Sequence, residues 1–209
     1  NNNLYYCLFT VALALGILSK YATLYLIIGI IISIILLKNI RNIFINKKFI
    51  ISLLIVFVIL TPHILWNINN GYVTLSHTAA NANFKGFNIN LYQGVAFLIS
   101  QALIFGLVPI YYIGRKFLLF TSLSTMQNFA LLNFVTPIII ILFLSIISRA
   151  NANWAVIGYP FGCIFLASLV NTSIRFHKSP SLINQFTFST VLIFFLCFIV
   201  SDKLDPFYK

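Results

Sequence analysis

The stretch L15-G-I-L-S-K-Y-A-T-L-Y-L26 decides how the chain must be read. Lys20 is the only charged residue between Asn1 and Leu37. Its neighbours on both sides are mostly Leu, Ile, Ala and Tyr, in runs close to the roughly 20 residues that a membrane-spanning helix needs. An ammonium group in mid-membrane is costly, so Lys20 belongs at a turn, where two apolar helices meet the interface. The chain therefore opens on a membrane hairpin with "LSKY" at its tip.

The bulk composition agrees. Hydrophobic residues make up 61% of the 209-residue chain and charged residues 7%, and the mean hydropathy is +1.02. Soluble domains carry about a quarter charged residues, so the solvent implied here is a bilayer. The net charge of +11 does not indicate nucleic acid, because the basic residues lie in short loops between apolar runs, where membrane topology puts them. Cys7, Cys163 and Cys197 fall inside apolar runs without metal-ligand or paired spacing and read as small buried residues. Two acids and three scattered histidines cannot build an oxygen-rich or zinc site, so no metal and no cofactor is expected.

About seven spans are expected at that length. They run from Leu4 to about Ser19, Tyr21 to Leu37, Phe49 to Trp66, Leu91 to Gly114, Phe129 to Ser148, Trp154 to Val170 and Leu182 to Val200. The expected fold class is all-α, a polytopic transmembrane bundle forming one domain over residues 1–209, with a polar outward loop at 67–90. Alternating the spans puts Lys38, Arg41, Lys47, Lys48, Arg115, Lys116, Arg175 and Lys178 on one side. Lys20, Lys85, Arg149, Lys203, Lys209 and both acids fall on the other. The richer basic side is cytoplasmic by the positive-inside rule.

Three stretches then share the outward side: "GILSKY" at 16–21, "TPHILWNINNGYVTLSH" at 61–77 and "NANWAVIGYP" at 151–160. Their convergence on one cavity is expected. Taken singly, each polar residue has two readings. Lys20 either snorkels to lipid headgroups or meets a phosphate. Tyr21, Trp66 and Trp154 suit an interfacial belt, and the two tryptophans also suit a sugar platform. Asn67 and Asn153 either bond a sugar or phosphate or cap helix ends. His77 either contacts phosphate or sits in a solvated loop. Tyr159 faces the cavity or packs in the belt, and Arg149, beside "NANW", is a second phosphate candidate. His63 is read as satisfied by a neighbouring helix, and Pro62 and Pro160 as kinks.

In order and sidedness these stretches resemble the membrane glycosyltransferases of the GT-C class, in the bacterial branch related to protein O-mannosyltransferases and the lipid A aminoarabinose transferase. "ALGILSKYA" is similar to that family's hairpin tip, "TPHILWNINNGYVTLSH" to its Pro, "WN" and aromatic-rich stretch, and "NANWAVIGYP" to its "NWP" stretch, with Ala155 where Pro is usual. The resemblance implies a multi-pass protein of the bacterial inner membrane. It would pass a sugar from a polyprenyl-phosphate carrier to a lipid, glycan or protein acceptor at the outer face. It also implies substrate contacts by Lys20, Tyr21, Trp66, Asn67, His77, Arg149, Asn153, Trp154 and Tyr159. Its partners would be the polyprenyl-linked sugar and membrane lipids. The family's general base is an acid in a first outer loop, and the chain has no Glu, with Asp202 and Asp205 at the far end. The chain is thus expected to be the central to C-terminal part of such an enzyme, inactive alone, with the N-terminal half as a partner. A flippase for polyprenyl-linked sugars and a non-catalytic remnant are the alternatives.

Overall fold

The computed structural model describes residues 2–82, 89–117, 122–148 and 150–174. Every regular element among them is helical. The order is α1 (Asn2–Ser19), α2 (Thr23–Leu36), α3 (Lys38–Phe44), α4 (Lys47–Asn69), α5 (Val73–Ala82), α6 (Leu91–Phe105), α7 (Leu107–Phe117) and α8 (Thr125–Ile147). A 3₁₀ turn (Ala152–Gly158) then leads into α9 (Tyr159–Ile174).

Three helical stretches are long and apolar enough to cross a membrane: α4, α8 and Ala152–Leu169. The bent pair α6–α7 makes a fourth if it is one span. Where the first two spans were expected lie the shorter apolar helices α1 and α2, which are not among those long enough to cross, with Lys20–Ala22 turning between them. The expected seventh span lies outside the described residues. Two expectations change. The fourth span is not one helix: Gly106, at φ +102°, ends α6, and α7 leaves it at 110°. A positive φ costs Gly nothing and most residues a good deal. The outward loop 67–90 is not irregular throughout, because "VTLSHTAANA" forms α5. A helix outside the bilayer needs no apolar run, and this segment lacks Gly and Pro.

Helix starts follow local chemistry. Asn46 caps α4 by accepting from the Phe49 amide at 3.0 Å, and Asn90 caps α6 from the Gln93 amide at 3.2 Å. Ser124 and Gln127 form a reciprocal capping box on α8; each device satisfies backbone donors left open at a helix start.

The centre of the bundle is α8, where half of the most apolar window is buried, against 11% in α4. Leu131 and Ile141 on α8 are fully buried, while Leu54, Phe57 and Val58 on α4 are exposed, as a lipid-facing helix requires. Small residues set the close approaches. A Cβ on Gly29 of α2 would lie 2.9 Å from Asn133 Oδ1 of α8, and one on Gly158 would lie 2.9 Å from the Phe134 carbonyl. Helix pairs in lipid gain chiefly from such close packing. Helices α1 and α4 run parallel: Lys48 meets Asn3 at one end, and His63 meets Tyr21 at the other.

Candidate functional site

A cavity of about 420 Å³ opens at the end of the bundle that carries the α1–α2 turn. That volume lies within the roughly 300–1,000 Å³ of small-molecule sites. The turn supplies Lys20 and Tyr21, α2 supplies Tyr25, α4 supplies His63, α5 supplies Thr74, His77 and Thr78, and the 3₁₀ turn supplies Trp154. Residues from all three outward stretches therefore meet at one place. On α5, Thr74, His77 and Thr78 share a face because they stand three and four residues apart.

Lys20 is exposed, and its Nζ donates to the Asn153 carbonyl at 3.3 Å. An ammonium has three donors, so this bond ties Lys20 to the 3₁₀ turn and leaves N–H groups for an anion. Among the described residues the lining includes this one ammonium, two imidazoles and no carboxylate.

Behind Lys20 lies a chain of bonds. The Thr74 amide donates to Asn67 Oδ1 at 3.2 Å, and the Thr74 hydroxyl donates to the same oxygen. Because a backbone amide can only donate, the orientation of the Asn67 side chain is settled. Its Nδ2 then donates to His63 Nε2 at 3.1 Å and to the His63 carbonyl at 3.0 Å. The Tyr21 hydroxyl lies 2.8 Å from the same Nε2 and is hydrogen-bonded to it, so the three side chains form one network. Asn67 is 5% exposed, and its own carbonyl accepts from the Tyr72 amide at 2.7 Å. It thereby holds the tight corner at Gly71 and Tyr72, whose φ values are +66° and +58°.

A second network holds the 3₁₀ turn. Gln101 on α6, 2% exposed, donates to the Ala152 carbonyl at 2.9 Å and accepts from the Tyr159 hydroxyl at 2.7 Å. The Tyr159 ring packs edge-on against Phe105, with centroids 4.9 Å apart. Trp154 leans on the cluster of Phe97, Ile141 and Ala155.

The residues singled out in the sequence separate accordingly. Lys20, Tyr21, His77 and Trp154 line the cavity. Asn153 reaches it through its carbonyl. Asn67 stands behind the wall, where it bonds His63 and also accepts the Thr74 amide in the first turn of α5, as a helix cap does. Tyr159 is turned into the bundle, and Trp66, 50% exposed, is not among the cavity residues. Arg149 lies outside the described residues. Tyr25, Thr74, Thr78 and Gln101 escaped the sequence reading. The α5 residues had a signal in their helical spacing, whereas Gln101 looked like one polar residue in an apolar run.

The described residues thus define an apolar helical bundle with a cationic, hydroxyl-rich cavity at one end. The comparisons sharpen this class. Residues 1–66, from the first helix to Trp66, match the family model for dolichyl-phosphate-mannose-protein mannosyltransferase. The lipid A galacturonosyltransferase RgtD of Rhizobium johnstonii is 28% identical over 161 residues, covering 75% of this chain and 33% of that protein. The chain thus matches about a third of the length of that curated relative. No solved structure matches. The resemblance to GT-C membrane glycosyltransferases read from the motifs is borne out by both findings.

Proposed function

We propose that the chain is the carrier-binding part of a membrane glycosyltransferase that takes a sugar from a polyprenyl phosphate at the outer face of the bacterial inner membrane. The observation that carries this reading is the convergence of the Lys20 turn, α5 and the 3₁₀ turn around one cavity. In this reading the chain crosses the membrane about seven times, and Lys20, Arg149 and His77 face the carrier phosphate. Tyr21, Asn153 and Trp154 border the sugar.

The chemistry follows. An acceptor hydroxyl attacks the anomeric carbon from the face opposite the phosphate. The bond from that carbon to the phosphate oxygen breaks, and its electron pair leaves on the phosphate. The Lys20 ammonium stabilises the charge gathering there, as a cation held in place before the reaction does. The acceptor's proton passes to a carboxylate, which this reading places in sequence outside the 209 residues. The acceptor is a lipid, glycan or protein hydroxyl.

Binding is the direct test, because it needs no catalytic base. The detergent-purified chain is titrated with a polyprenyl phosphate labelled in the lipid. Lys20→Ala is expected to weaken binding by about tenfold or more, since hydrogen bonds to charged groups contribute roughly 1.5–3 kcal/mol. Lys20→Arg should keep most of the affinity. Equal affinity of Lys20→Ala and the unchanged chain would remove Lys20 from the site. In the full-length enzyme, Lys20→Ala should also stop the release of polyprenyl phosphate from the sugar donor. A flippase would move the donor without releasing it.

A further inference from the structure

At the other end of α1 and α4, away from the cavity, the two parallel helices leave an open groove of about 430 Å³ between them. Its mouth is polar and basic. Lys48 stands there, with its Nζ 2.8 Å from Asn3 Oδ1. Lys47 begins α4 beside it, so the positive end of that helix dipole lies at the mouth as well. The Tyr6 hydroxyl, also at the mouth, accepts from Asn46 at 2.8 Å.

Beyond the mouth the groove is apolar. Val11, Ile51, Ile55 and Ile59 form its walls. Thr10 and Ser52 carry the hydroxyls beyond the mouth, and both are turned back on their own helices. Thr10 donates to the Tyr6 carbonyl at 2.7 Å and Ser52 to the Lys48 carbonyl at 3.0 Å. They are 5% and 3% exposed, so an occupant of the groove meets hydrocarbon.

The length is informative. Lys48 and Ile59 are both in the groove, and the helix between them rises about 16 Å at 1.5 Å per residue. That is about half of the roughly 30 Å hydrocarbon core, or one leaflet. A cation at the headgroup level and a one-leaflet apolar slot together describe a phospholipid.

From this geometry we infer a second lipid site: the α1–α4 groove holds one acyl chain of an anionic phospholipid, with the headgroup phosphate on Lys48. It is separate from the cavity at the Lys20 turn, and it stands whether or not that cavity binds a carrier. The basic end of the molecule, with Lys38 and Arg41 nearby in sequence, favours a lipid of the leaflet facing that side.

Native mass spectrometry of the detergent-purified chain tests this with phosphatidylglycerol and phosphatidylethanolamine of matched acyl chains. The unchanged chain should retain phosphatidylglycerol preferentially. Lys48→Gln should cut that preference about fivefold, the size of one lysine at an anionic headgroup. Ile55→Trp, which fills the slot but leaves Lys48, should lose the bound lipid altogether. Both variants should keep the SDS-titration unfolding midpoint of the unchanged chain, which reports that they fold. Unchanged phosphatidylglycerol retention in Ile55→Trp overturns the groove, and an unchanged preference in Lys48→Gln overturns the headgroup contact. No lipid preference in the unchanged chain overturns both.

Discussion

Lys20 and Asn67 show two ways in which a single residue serves a membrane site. Lys20 is placed by a turn and tied by one bond to a carbonyl 133 residues away in sequence. Asn67 does not line the cavity, yet it joins α5 to His63, which bonds Tyr21 in the cavity wall. Side-chain bonds within lipid contribute about 0.6 kcal/mol on average and up to roughly 1.7. A double-mutant cycle of Tyr21→Phe with His63→Ala should therefore give a coupling of about 0.6–1.7 kcal/mol, read from SDS-titration unfolding midpoints. Zero coupling would mean that the 2.8 Å contact is incidental to stability. The His63 reading was available from the sequence, because an imidazole within an apolar run needs a neighbour. The identity of that neighbour was not, since nothing local links positions 21 and 63.

At the scale of elements, the 3₁₀ turn is the least expected and most consequential piece. Its place is set by Gln101, which holds the Ala152 carbonyl, and by Gly158, which lets the backbone rest on the Phe134 carbonyl of α8. A Cβ at Gly158 would lie 2.9 Å from that oxygen, and neither backbone can yield without moving α9. Gly158→Ala should cost about 1–3 kcal/mol of stability, the usual scale of overpacking. It should also weaken polyprenyl-phosphate binding, because the turn carries Asn153 and Trp154. Lost stability with unchanged binding would uncouple the turn from the site. Helix α8 begins at Thr125, four residues before the expected Phe129, because the Ser124–Gln127 capping box starts the helix ahead of its apolar run. The bend at Gly106 was missed because hydropathy reads straight through it: both arms are apolar.

For the whole molecule, the sharpest expectation is sidedness. In a background with the native cysteines changed to serine, His77→Cys should react with an impermeant maleimide in right-side-out vesicles. Lys47→Cys should react only after permeabilisation. Equal labelling of both would break the common orientation of the cavity and with it the outer-face reading. By itself the sequence determined the solvent, the helical class, most helix positions and the three stretches that matter. It does so because lipid forces each spanning segment to satisfy its backbone internally, a requirement written locally in runs of apolar residues. Only the tertiary structure decided which of those residues meet. Lateral packing depends on small-residue approaches such as Gly29 against Asn133 and on long-range bonds such as Tyr21 to His63. These join positions distant in the chain, where lipid-facing and protein-facing surfaces are equally apolar and no periodicity tells one from the other.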